Sequence, residues 1–545
     1  MRNTKKFTAK LCSILALVLA LLLPASALAE GGIATDLAGG FGAADSATMA
    51  ANDAQQIDIM DAELRIGYVA QYGASLNPFM CNEWDLVSMN QLVFEPLVTL
   101  DENQKPSPML ADNWQHEGKK WVFTLRSNIS FHNGQPLTAY DVQATYDQFM
   151  QMNEGDNPYT TRMKQMISSL VALDERTVKV EAKYEGYITL YAMNFPVIQQ
   201  NTIFDDMPRG TGPYWYVRYD LDSAVRIEAN PLWWQQPPTL SSITFCRYDS
   251  SGDAIEGLQT NGVEMLSTRS NSAAICRKLA DLTSMDYATW TYELMVPNLN
   301  SGSAISNVRV RQAVMYAIDR AALAANAYLG MGIQCEVPVN PSSWLYESQS
   351  AIYYYSPERA LQLLYDSGWK DLTGDAMMNK LDGIMVRDLT IDIVTYNEST
   401  SSIRENAANL IAGYLNAVGI KTTVTVLTQK RALSRIDDRD YDLALIGVNL
   451  SEVPVLQSLL SAKGNLNLNR YNNEEMENLI NMTATAADEA SLKAVYSQIQ
   501  MTLVERLPIM GLLFRTGTVL STRSLGGLTG IRALNTFRGM EYLSK

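Results

Sequence analysis

The sequence predicts an α/β fold organised on a parallel sheet, and three observations predict it. Residues 389–448 alternate strand and helix patterns without interruption. Elsewhere, short period-two runs are interleaved with capped segments of helical period. The chain has 545 residues, 47% apolar and 19% charged, which is the composition of a globular protein and a length for two to four domains.

The β-α-β-α-β stretch is the most informative. LTIDIVTYN (389–397) is a strand, and IRENAANLIAGYLNAVG (403–419) is an amphipathic helix closed by Gly419. IKTTVTVL (420–427) is a second strand, RALSRIDD a shorter helix, and YDLALIGV (441–448) a third strand. That order demands parallel strands with right-handed crossovers. Ligands of such sheets sit off the carboxyl ends of the strands, where strand order reverses. Here those ends are Tyr396/Asn397, Leu427/Thr428 and residues 449–452.

The remaining elements follow in chain order. Residues 1–29 have the pattern of a signal peptide: Arg2, Lys5, Lys6 and Lys10, then the apolar run LCSILALVLALLL (11–23), Pro24, and the small-residue site Ala27-Leu28-Ala29. No cysteine directly follows the apolar run, so release without a lipid anchor is expected, into the periplasm or the extracellular space. Residues 30–63 hold seven acids, no Lys or Arg, and much Gly and Ala, a flexible leader that cannot bury a core. Folding is expected to begin near Leu64. Alternation then marks strands at 64–70, 120–125, 177–182, 224–229 and 242–248. Thr138 and Asp141 form a capping-box pattern at the head of a helix. Ser356-Pro357 opens another that Gly368 closes. VRVRQAVMYAIDRAALAA (308–325) reads as one helix.

Charge and motifs narrow the function classes. A formal charge of −15 argues against nucleic acid as a partner. The two histidines, His116 and His132, are far apart in sequence and lie in turn-like segments, and no HExxH, GxSxG, GxxxxGK[ST] or GxGxxG pattern occurs. No metal, cofactor or catalytic residue is therefore assigned, and an enzyme is the weaker class. Cys81, Cys246, Cys276 and Cys335 match no metal or redox spacing. Export permits bridges, and buried free thiols are equally compatible with the pattern. Nine Trp and 27 Tyr offer aromatic walls of the kind that line solute clefts, although most aromatic side chains fill cores.

Five segments in order resemble one family. They are SLNPF (75–79), the run from VFEPLVTLDENQKPSPMLADNW to NGQPLTAYDV (93–142), GTGPYW with EANPLWW (210–215 and 228–234), SNVRVRQAVMYAIDR (306–320), and YYYSPERALQLLYDSGW (353–369). Together they are similar to the extracytoplasmic solute-binding proteins of ABC importers in the peptide/nickel-binding class, family 5. The resemblance implies a bilobed periplasmic-binding-protein type II-like fold (cluster C) with an extra inserted domain. Domain I would comprise residues 64–97, 206–294 and 512–545, the inserted domain II residues 98–205, and domain III residues 295–511. The chain would cross between lobes at 292–300 and 508–514, with the lobes closing as rigid bodies.

The same resemblance implies a non-catalytic solute-binding component. It would take a peptide, or a sugar or other small solute, to a permease and its ATPase, acting as a monomer. The alternatives are an exported hydrolase with an unrecognised carboxylate site, or a peptide-sensing or chaperone-like protein with no permease. Peptide-binding members carry an Asp in a GWxxDYxxP-like loop that pairs with the peptide's amino terminus. Here the loop reads GVNLSEVP (447–454), with Ser451 nearest the Asp position and Glu452 beside it. The expected cleft contacts are Tyr72, Asn77 and Trp84 from domain I, Asn298 and Asn300 at the first crossing, and Asn397, Asn449, Ser451 and Glu452 from domain III. Arg515, beyond the second crossing, is placed to meet a carboxylate.

Overall fold

Alternation becomes strand wherever one face can be buried, and in this chain most of those strands join a single sheet. The structure, a computed structural model, describes residues 60–71, 74–220, 223–398, 401–453, 455–524 and 526–543. The signal peptide and nearly all of the acidic leader lie outside the described residues. The first strand runs Met60–Val69, starting four residues earlier than expected, because Met60 already pairs in parallel with Leu240 and Glu63 with Ser242. Strands at Lys120–Leu125, Thr177–Ala182 and Ala224–Ala229 fall on the residues the alternation marks. Among the described residues no helix is long and apolar enough to cross a membrane.

Eleven strands form one mixed sheet that unites two lobes. One half holds Met60–Val69 between Leu240–Tyr248 and Met265–Thr268, with Ala224–Ala229 and Tyr214–Asp220 outside. The other half is the expected β-α-β-α-β unit. There Thr390–Tyr396 lies between Lys421–Leu427 and Leu443–Asn449, parallel to both. Between the halves run two long antiparallel strands, Thr283–Pro297 and Met510–Ser521. They overlap the runs 292–300 and 508–514 expected to cross between lobes, and both are far longer than those nine- and seven-residue runs.

The pairing of the crossing strands is interrupted twice, most widely at its midpoint and again between Glu293 and Leu294. Ala288 pairs with Thr516 and Tyr292 with Phe514, so four steps on one strand oppose two on the other. Thr289, Trp290 and Thr291 bulge at that point, where a bulge re-aims side chains and bends a strand. A separate four-stranded antiparallel sheet, Ala111–Glu117, Lys120–Leu125, Thr177–Ala182 and Ile167–Ala172, lies within residues 111–182.

Helix ends follow the sequence with one exception. Thr138 and Asp141 form the capping box at Ala139–Gln151. Ser356 accepts from Arg359 N at 3.2 Å, and Gly368 takes φ +87° past the end of Pro357–Asp366. The segment read as one helix over 308–325 is two, Val308–Ala317 and Arg320–Asn326. Ile318 is extended at φ −90°, ψ 119°, and Asp319 accepts from Ala322 N at 2.8 Å, capping a new helix inside the apolar periodicity.

Two of the five family-like segments, 93–142 and 210–234, meet in one buried cluster. Glu95 of VFEPL accepts from Thr211 Oγ1 at 2.6 Å and from the indoles of Trp233 (3.1 Å) and Trp234 (2.9 Å). His132 of FHNG stacks edge-on against Trp215 and sits 3.3 Å from Gly212 O. Burial pulls the His132 pKa down to about 4 and pushes the Glu95 carboxyl up to about 7 against its three donors. A Cβ on Gly210 would stand 2.0 Å from Val93 O, so only glycine lets this segment approach the 92–95 backbone. The four cysteines are free thiols, three of them buried.

Candidate functional site

A cavity of about 1080 Å³ lies at the junction of the lobes, at the upper end of the roughly 300–1,000 Å³ usual for ligand pockets. Four elements position its walls. The loop and helix at 83–85 bring Glu83, Trp84 and Asp85; the turn after Met265–Thr268 brings Arg269, Ser270 and Asn271. The crossing strands contribute Thr289, Thr291, Arg515 and Thr516. The parallel unit contributes Tyr396, Asn397, Glu398 and Asn449 at the carboxyl ends of its outer and central strands.

Two arginines and two glutamates are locked together on the floor. Arg404 forms a bidentate pair with Glu293, Nε to Oε2 and Nη2 to Oε1, each 3.0 Å. Arg404 also reaches Glu398 at 3.0 Å. Arg515 stands 2.6 Å from Glu293 Oε1 and donates to Glu398 Oε2 at 3.0 Å. Glu293 is wholly buried and Arg404 2% exposed, so each needs the other's charge. Burial alone would pull the Arg404 pKa down, and the Glu293 carboxylate more than offsets it, holding the guanidinium firmly charged. For Glu398, burial works upward and the two guanidiniums outweigh it, so its carboxyl is held below its ordinary range.

The other side of the cavity carries charges that are not spent in this way. Arg269 is exposed, lies 4.1 Å over the Trp84 ring, and has no carboxylate at salt-bridge distance among the described residues. Trp84 in turn packs on Trp290, centroids 5.0 Å apart. Asp85 accepts from Val69 N at 3.2 Å. Burial raises its carboxyl to about 6, with Arg269 and that N–H pulling the other way. Asn397 Oδ1, Arg515 Nε and Thr516 Oγ1 are buried polar atoms with no hydrogen-bond partner among the described residues.

Of the residues singled out from sequence, Trp84, Asn397, Asn449 and Arg515 are brought together around this cavity. Tyr72 lies outside the described residues. Asn77 donates to the carbonyls of Ile203 and Asp205, and Asn298 to those of Arg439 and Tyr441, so both brace loops instead. Asn300 takes a hydrogen bond from Arg439. Ser451 closes a local turn onto Val453 O at 2.6 Å.

Glu452 does not face the large cavity. Arg162 holds it at 3.2 Å and Arg532 at 3.1 Å, all three side chains at most 12% exposed. Two guanidiniums therefore already occupy the carboxylate that was the candidate for an amino terminus. A second cavity, of about 720 Å³, shares Asn449 with the first and is lined by Gln165, Tyr184, Ser458 and Asn481. Sequence reasoning missed Asp85, Arg269, Glu293, Glu398 and Arg404. Two signals pointed to the buried pair: a Glu inside the apolar run YELMVP, and an Arg in register with Ala408, Ile411 and Leu415 on the apolar face of its helix.

Comparison with known proteins completes the description. A family model for bacterial extracellular solute-binding proteins, family 5 Middle, matches residues 105–467. The chain is 22% identical over 465 residues to the oligopeptide-binding protein AppA of Bacillus subtilis, covering 81% of this chain and 84% of that one. It is 23% identical over 502 residues to heme-binding protein A of Haemophilus influenzae, covering 84% and 88%. Among solved structures, a nickel ABC transporter protein from Bacillus halodurans superposes with a TM-score of 0.74 at 19% identity, over 87% of this chain and 98% of that one. Bacillus subtilis AppA in complex with a nonapeptide gives 0.57 at 19% identity, over 89% and 99%.

Proposed function

The chain belongs to the bacterial extracellular solute-binding proteins of family 5, and we propose that it captures a short peptide or similar small solute in the cleft between its lobes. One observation carries the reading: at the lobe junction, unspent charge of both signs stands beside an aromatic face and three partnerless polar atoms. A peptide has a matching inventory: a cationic end, an anionic end, and backbone N–H and C=O groups between them. Buried polar atoms without partners cost free energy, and Asn397 and Thr516 stand in the wall against which a guest's amides would lie. The relative named as oligopeptide-binding and its nonapeptide complex support the same class.

Trp84, Asn397, Asn449 and Arg515 are the contacts proposed from the original set, with Asp85 and Arg269 added. The three-domain division, with 98–205 inserted and 295–511 as the far lobe, belongs to this proposal. So does export with cleavage after Ala29, and delivery by a monomer to a permease and its ATPase. The hydrolase and the permease-free sensor gain nothing from the family match.

Thermal unfolding of the full chain tests the function. A ligand at a hundredfold its Kd adds about 2.7 kcal/mol to stability, so a mixture of di- to nonapeptides should raise Tm by several degrees. No shift with any peptide length would contradict the peptide reading.

A further inference from the structure

Three arginines line or floor the cleft, and only one has no carboxylate partner among the described residues. Arg404 and Arg515 are consumed by Glu293 and Glu398. Arg269 has no such partner among the described residues, is exposed, and its guanidinium carbon stands 4.1 Å from the centroid of the Trp84 ring. A cation–π contact of this kind favours one placement of the side chain, which lowers the ordering that binding would otherwise cost. Around it the turn supplies polar side chains in sequence. Ser270, Asn271 and Ser272 line the same wall, and Ser251 joins them from the start of the helix Ser251–Gln259.

A planar fork of N–H donors presented in this way matches a carboxylate, which takes two parallel charge-assisted hydrogen bonds from it. A carboxylate shut into a closing cleft needs a charge partner, because an unpaired one is strongly penalised. Arg269 is the cation left to provide it. We propose that Arg269, lying over Trp84, anchors a carboxylate of the captured solute, so that the cleft selects free acids over the corresponding amides. For a peptide this is the carboxyl terminus, with Asp85 and Glu83 on the neighbouring wall available to a cationic group. The inference rests on the solute-binding reading and adds to it the chemical class of the guest and the residue that reads it.

Equilibrium dialysis of the full chain against an equimolar mixture of mixed-sequence tripeptides and their carboxamides tests it, with retained peptides counted by mass. The free acids should be retained at least tenfold over the amides. In Arg269→Ala that ratio should fall to near one, and Arg269→Lys should restore part of it. The melting temperature of each unliganded variant, staying within a few degrees of the parent, shows that folding is intact. Equal retention of acids and amides by the parent, or an undiminished preference in Arg269→Ala, overturns the inference while leaving the peptide reading standing. Retention of neither set overturns both.

Discussion

Asp85 is a carboxylate kept where ionisation is costly. Burial lifts it to about 6, and neither the Arg269 charge nor the Val69 N–H restores its ordinary value of 3.8. Because the folded chain holds this proton more tightly than the unfolded chain, stability from Asp85 is fully present below about pH 4. It is lost as pH rises toward 6, and the loss then persists at neutrality. Asp85→Asn removes the penalty. Urea unfolding should show the variant drawing ahead of the parent between pH 4 and 7, by at most about 3 kcal/mol and less for the part-exposed side chain. A stability difference that does not change with pH would show that Asp85 titrates normally. A strained carboxylate in a cleft is how binding chemistry commonly presents itself, and none of this was legible from Asp85 alone, whose neighbours Val69 and Arg269 are 16 and 184 positions away.

Elements were legible where a local signal decided them. Alternation gave the strands Lys120–Leu125, Thr177–Ala182 and Ala224–Ala229, and caps gave the ends of Ala139–Gln151 and Pro357–Asp366. The break after Ala317 was missed because apolar periodicity continues through it, and only the Asp319 cap reveals the second helix. The crossing strands were underestimated because Thr283–Ala288 owes its strand to pairing with 516–521, more than 200 residues away. The motif cluster shows why sequence patterns can be strong yet say little of the ligand. Glu95, Thr211, Trp233 and Trp234 recognise one another, fastening the 210–212 turn to the 92–95 segment. Gly210→Ala should therefore cost at least about 2 kcal/mol, since its Cβ would meet backbone that cannot step aside. A lowered denaturation midpoint checks this, and an unchanged midpoint would mean that the turn relaxes freely.

At the scale of the molecule, one sheet runs through both lobes and its two central strands are the only strands shared between the halves among the described residues. The bulge at 289–291 interrupts their pairing where Thr289 and Thr291 face the cavity and Trp290 meets Trp84. The Glu293–Arg404–Arg515–Glu398 cluster ties the parallel unit to those strands, and Glu452 ties its loop to Arg162 and Arg532. Both bridges satisfy charge within the protein and leave Arg269 and Asp85 for whatever enters. The central claim is that this cleft holds a dissolved guest without altering it. Native mass spectrometry of the full chain purified from its producing cells tests that most directly. The account predicts one small molecule per chain, recovered with the same mass after repeated release and rebinding. A guest that returns chemically changed, or a chain that carries and accepts none, would contradict it.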